Sequence, residues 1–207
     1  MSLSPFAMET PLTEPKDDAF DIAAAFAPLV KLTTTGLPFL QKGLDDSSVV
    51  LLATSLLDDF LKFSLVAGFH ASATSKTLVA RVFEGEGPLS RFSHRITVCT
   101  ALGIIKGDTR HDLGLVKDIR NIFAHSHTVF HLSDIPKTMS LRVNCPYEID
   151  EPDSSRQKFK CSCVGMIGSL ATQSMMYIAR GRFIDKNIDG IFEEYELMVR
   201  EAETPSP

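Results

Sequence analysis

The sequence predicts an all-α fold, a single helical bundle domain with a C-terminal helical extension. Three observations carry that expectation. Apolar residues recur at three- and four-residue spacing from Phe20 to the region of Ala171. Short polar or glycine-containing connections, such as Gly85–Ser90 and Lys106–Asp108, separate these segments. Only Leu141–Cys145 reads as a short strand.

Residues 1–18 carry three prolines, several charges and few large apolar side chains, the composition of a mobile tail. The main domain is expected over 19–171 and the extension over 172–207. From Ala19 to Gly43 a helical pattern (Phe20, Ala23, Ala24, Ala27, Val30) is kinked or divided by Pro28 and Pro38. Asp46 or Ser47 then caps a long helix to about Phe69. Its polar stripe is Ser48, Ser55, Asp58, Asp59 and Lys62, and its other sides are Val, Leu and Phe, which places it at the centre of a bundle.

A short helix over Ser75–Phe83 is followed by the break at Gly85–Ser90 and by a helix over Leu89–Ile105. In that helix Leu89, Phe92, Ile96, Cys99 and Leu102 share one face, and Arg91, His94 and Arg95 another. Lys106, Gly107 and Asp108 form a tight connection, with Asp108 as the next cap, and a helix from about Thr109 to Ala124 follows. Two more helices are expected, over Ser154–Gly181 and Phe192–Glu203, after an acidic loop at Glu148–Asp153. Short connections imply antiparallel neighbours.

At 207 residues the chain is about one domain with room for a terminal extension. Lys and Arg total 21 against 26 Asp and Glu, a formal charge of -5, which excludes a global attraction for nucleic acid or anionic lipid. The start of the chain lacks the cationic and apolar runs of a signal peptide. The apolar stretch Val49–Phe69 is interrupted by Thr54, Ser55, Asp58, Asp59 and Lys62, so no membrane role is expected. Four cysteines, at 99, 145, 161 and 163, fit a reducing compartment. A cytoplasmic protein is the resulting expectation.

The segment His111–Phe130 carries the most chemistry. At helical spacing Leu113, Val116, Arg120 and Phe123 share a stripe, which puts Arg120 at a core position needing either a carboxylate or a bound anion. Arg120 and His125 are about 140° apart on a regular helix, so they meet only if the helix ends near Ala124 or if a second subunit supplies one of them. A further cationic set, Arg91, His94, Arg95 and Lys106, lies in the stretch Gly87–Gly107, which contains no acidic residue. It is a candidate nucleic-acid or anion-binding surface.

Arg120-Asn121-Ile122-Phe123-Ala124-His125 fits the R-x4-H pattern, with a polar residue after the arginine, of HEPN (higher eukaryotes and prokaryotes nucleotide-binding) helical domains. More closely, Glu84–Ser126 resembles the mannitol operon repressor family. A Gly-Pro-Leu loop, a helix ending in Leu-Gly-Ile-Ile, a polar connector and a helix ending in Arg-Asn-x-x-Ala-His occur there in the same order. That resemblance implies a dimeric, all-helical transcriptional regulator of sugar-alcohol uptake genes. Such a repressor lacks a conventional DNA-reading domain and acts through another regulatory protein, with no required cofactor. The near-neutral helix after Lys106–Asp108 agrees, since a recognition helix presents several DNA-contacting side chains on one outward face. The wider HEPN likeness implies an alternative, a metal-independent RNA endonuclease or toxin. There Arg120 holds the scissile phosphate, Asn121 orients, and His125 moves a proton, a task suited to its near-neutral reference pKa.

Asp185–Glu196 satisfies the EF-hand expression. Asp185, Asn187 and Asp189 supply side-chain oxygens, Ile191 a carbonyl and Glu196 a bidentate carboxylate, around the turn permitted by Gly190. Calcium is therefore the candidate cofactor, and a calcium-responsive interaction protein is a third reading. Asp189 as an N-cap with Glu193 and Glu194 in the first turn explains the same residues without metal. His125 and His127 have no further ligand at zinc spacing. Cys161 and Cys163 point to nearly opposite sides of a helix and read as small buried residues; Met166, Met175 and Met176 read as core filling.

Overall fold

Six α-helices and three 3-10 turns make up the described part of the chain, with no strand among the described residues. The computed structural model describes residues 20–69, 75–125, 131–145, 149, 151 and 153–185. The helices are α1 (Ile22–Thr35), α2 (Asp46–Ala67), α3 (Lys76–Phe83), α4 (Phe92–Ala101), α5 (Gly107–His125) and α6 (Ser154–Asp185). The 3-10 turns are Pro38–Leu40, Leu132–Asp134 and Pro136–Ser140. The fold is all-α.

The wide apolar surface of α2 explains its central place. Asp45, not Asp46 or Ser47, is its N-cap, accepting from the Ser48 N–H at 2.6 Å. Val49, Val50, Ala53, Leu57, Phe60 and Leu61 are fully buried along it. The helix packs against α1, α4, α5 and, most extensively, α6. From α1, Phe26 stacks on Phe63 with ring centroids 4.6 Å apart. By length and apolarity alone Ile22–Leu40 could cross a membrane. It is not one helix, however, because α1 ends at Gly36 (φ +117°) before the turn at Pro38–Leu40.

The largest interface, between α2 and α6, joins two helices that no short connection links. At the start of both helices Arg156 Nη2 pairs with Asp46 Oδ1 at 2.6 Å, and towards their ends Ser64 and Ser174 hydroxyls are 2.8 Å apart. The two helices therefore run parallel. Parallel neighbours require a long connection between them, and here residues 68–153 intervene. Asp46 also accepts from the Leu132 N–H at 2.8 Å, and Arg156 Nη1 donates to the Leu44 carbonyl at 3.1 Å. One buried carboxylate thus fixes where α2, the 3-10 turn and α6 begin.

Several boundaries differ from expectation for local reasons. Leu89 precedes α4 and donates its N–H to the Val82 carbonyl instead of continuing a helix, and Leu102 is 61% exposed. Asp108 lies inside the first turn of α5, which begins at Gly107 (φ +50°). The anticipated strand at Leu141–Cys145 pairs with no other strand. The N–H groups of Arg142 and Val143 go to the Asp112 carboxylate, which leaves no ladder to form. Helix α6 runs to Asp185, four residues beyond the expected end at Gly181. Met166 is buried, whereas Met175 and Met176 are exposed at 51% and 45%, so only the first fills the core. The helix anticipated over Phe192–Glu203 and the tail at 1–18 lie outside the described residues.

Candidate functional site

The stretch from Gly87 to Gly107 folds around one side chain, Arg95. Its guanidinium is buried, 8% exposed, and reaches three elements. Nη1 donates to Asp58 Oδ1 of α2 at 2.7 Å, Nε to the Leu89 carbonyl at 2.7 Å, and Nη2 to the carbonyls of Phe83 and Ser90 at 3.5 and 3.4 Å. It also lies 5.5 Å from the centroid of the Phe83 ring. Planar geometry lets one guanidinium serve these acceptors at once. Burial raises the Asp58 carboxyl above the ordinary carboxylate range despite the attraction of Arg95, with Asp59 adding to the rise and Arg120 opposing it. Gly87 closes the loop under this node, since a Cβ there would fall 2.5 Å from the backbone oxygens of Arg81 and Val82.

The expected cationic surface is therefore split. Arg95 leaves it, correcting its place on an open face. Arg91, His94 and Lys106 remain exposed, with His94 Nδ1 3.0 Å from the Pro88 carbonyl oxygen.

The stripe assignment of α5 is corrected in the same way. Asp112, Leu113, Val116 and Ile119 are buried, and Arg120 is exposed. Ile119 takes the core position that spacing had given to Arg120, because the buried stripe advances by three residues rather than four. Asn121 and His125 are exposed too. Helix α5 continues to His125, so Arg120 and His125 stay about 140° apart on one helix and do not converge within one chain.

A second buried centre, not anticipated from the sequence, is Asp112. Its Oδ2 accepts from the Arg142 N–H, the Val143 N–H and the Ser162 hydroxyl, each at 2.8 Å, and His111 Nδ1 donates to Oδ1 at 2.9 Å. Burial by itself pushes this carboxyl up. The hydrogen bonds from His111, Val143, Ser162 and Arg142 outweigh it and hold the group below its ordinary range. The signal available in the sequence was an acid within an apolar stripe, beside Leu113.

Cys163 is buried as expected, but Cys161 is half-buried, with the Cys145 thiol donating to its sulfur at 3.0 Å. Of the EF-hand-like positions, Asp185 is the last residue of α6. Asn187, Asp189, Ile191 and Glu196 lie outside the described residues, as does His127. Among the described residues no group of three or more His, Cys, Asp or Glu is placed to hold a metal ion.

No protein-family model matches the chain, and neither a curated protein nor a solved structure gives a match. The resemblance to the mannitol operon repressors thus rests on Glu84–Ser126. Over its described residues, 84–125, that segment folds as the Gly-Pro-Leu loop after α3, then α4, a turn and α5.

Proposed function

We propose that the chain is a transcriptional regulator of the mannitol-repressor type, a homodimer that represses sugar-alcohol uptake genes through association with another regulatory protein. The observation that carries this reading is the burial of Arg95 against Asp58. It removes the central cation from the acid-free stretch Gly87–Gly107 and leaves Arg91, His94 and Lys106 as the exposed cationic positions there. A protein reading DNA alone needs several phosphate contacts for affinity and register. Deleting the gene and measuring transcripts with and without mannitol tests the proposal. Raised sugar-alcohol uptake transcripts in the deletion are expected, and unchanged transcripts reject it. Tight, sequence-specific binding of duplex DNA by the purified chain at physiological salt would reject the partner-dependent route.

A second reading, metal-independent RNA cleavage, is favoured by the exposure of Arg120, Asn121 and His125 at the end of α5. Their separation around the helix ties this reading to a dimer, in which Arg120 of one subunit faces His125 of the other. Incubating RNA in EDTA with wild type and His125→Ala decides it. Cleavage lost in the variant supports the reading, and equal inactivity of both proteins removes it.

A further inference from the structure

The extended segment 143–145 runs along one face of α6. Lys158, Cys161 and Gly165 lie on that face at helical spacing, and each meets the segment. Lys158 Nζ donates to Asn144 Oδ1 at 2.9 Å, and the Cys145 and Cys161 sulfurs are 3.0 Å apart. At Gly165 the backbone approaches so closely that a Cβ would fall 2.6 Å from the Asn144 carbonyl oxygen and 2.7 Å from the Val143 side chain. Just upstream, Asp112 holds the N–H groups of Arg142 and Val143. The contacts at residues 142–144 therefore hold Cys145 beside Cys161.

The other two cysteines are placed differently. Cys99 and Cys163 are fully buried, and burial pushes the Cys99 thiol up to about 12 and the Cys163 thiol up as well. Cys145 and Cys161 are both half-buried and within reach of a small oxidant.

We propose that Cys145 and Cys161 form a redox-sensitive dithiol that a hydroperoxide converts to an intramolecular disulfide, locking the α5–α6 connection onto α6. Burial and contact with Cys145 push the Cys161 thiol up to about 11, which leaves Cys161 as the resolving sulfur. The Cys145 thiolate attacks the peroxide oxygen, the O–O bond breaks, and the leaving oxygen departs as water (as an alcohol, from an organic peroxide). The product is a sulfenic acid. The Cys161 sulfur then attacks the sulfenic sulfur; the S–S bond forms, the S–O bond breaks, and a second molecule of water leaves. Two thiols are oxidised by two electrons and the peroxide is reduced by two. Bond formation requires the sulfurs to close from 3.0 Å to about 2.05 Å, a movement available to side-chain rotation.

The test treats the purified full chain with equimolar hydrogen peroxide, blocks remaining thiols with an alkylating reagent, and maps the cysteines by mass spectrometry. A Cys145–Cys161 linkage is expected, with Cys99 and Cys163 alkylated only after unfolding. Oxidation should raise the thermal midpoint by roughly 5–10 °C, and a reductant should reverse the shift. Cys145→Ser and Cys161→Ser should each abolish the linkage and the shift while melting within a few degrees of the reduced wild type. Cys99→Ser should retain both. Linkage through Cys99 or Cys163, or independent over-oxidation of Cys145 with Cys161 still alkylated, would overturn the proposal.

Discussion

Arg95 Nη1 and Asp58 Oδ1, from α4 and α2, are 2.7 Å apart, and this ion pair seats the Gly-Pro-Leu loop on the central helix. The loop carbonyls of Leu89 and Ser90 and the Phe83 carbonyl at the end of α3 converge on the same guanidinium. One cation thereby satisfies the end of α3, the loop and α2, and no other side chain has the donors in a plane to replace it.

Arg95→Ala is expected to destabilise the fold by about 3–5 kcal/mol, since it leaves a partly buried carboxylate and several carbonyls without their donor. Arg95→Lys should recover less than half of that loss, because an ammonium cannot reach acceptors on three elements together. Arg91→Ala, at an exposed neighbour, should stay within about 0.5 kcal/mol of wild type. Urea unfolding of the three variants measures the series, and equal loss from Arg91 and Arg95 would contradict the structural role of Arg95.

Asp112 makes stability depend on pH in acid. Its pKa is lowered in the folded state, so its contribution is complete above the unfolded value of about 3.9 and is lost as pH falls through the folded value. Thermal midpoints of wild type should therefore fall steeply below about pH 4. Asp112→Asn should lie well below wild type at pH 7, with its curve flatter through the acid range. An amide oxygen in the Oδ2 place can still accept from Arg142, Val143 and Ser162, but it lacks the carboxylate charge, and its NH2 group then faces His111 Nδ1 in place of an acceptor. Parallel curves for the two proteins would show that this carboxylate is not the acid-sensitive element.

The exposed end of α5 should behave oppositely. Arg120→Ala, Asn121→Ala and His125→Ala are each expected to change stability by less than about 0.5 kcal/mol, since all three side chains are exposed. Circular dichroism melts check this, and a loss above about 2 kcal/mol from Arg120→Ala would restore the core position that simple spacing assigns to it.

The helices were legible because their apolar periodicity and polar connections agree, and α2 could be placed at the centre from its composition alone. The orientation of α5 was not. Leu113 and Val116 belong equally to a stripe continuing through Arg120 and to one continuing through Ile119, and only packing against α2 chooses between them. Arg95 shows the same limit, because its partner Asp58 is 37 residues away and no local pattern links them. The segment at Leu141–Cys145 was read as a strand from its residues, yet its backbone donors are taken by one carboxylate from α5. Long-range polar contacts of this kind leave little trace in local spacing.

Two glycines of α6 separate close packing from helix propensity. Gly165 sits under the segment 143–145, where a Cβ would meet backbone at 2.6 Å, whereas a Cβ at Gly168 meets nothing within 4 Å. Gly168→Ala should stabilise the protein by about 0.5–1 kcal/mol, because alanine loses less backbone freedom than glycine on entering a helix. Gly165→Ala gains the same helix propensity but must displace Val143 and Asn144, so it should destabilise by about 1–3 kcal/mol. The displacement has a second consequence, since it draws Cys145 away from Cys161. Gly165→Ala should therefore slow formation of the disulfide by peroxide while Gly168→Ala leaves it unchanged. Melting curves and timed alkylation of both variants give the two readouts. A Gly165→Ala protein that is stabilised like Gly168→Ala would show that the segment does not lie against α6 in solution.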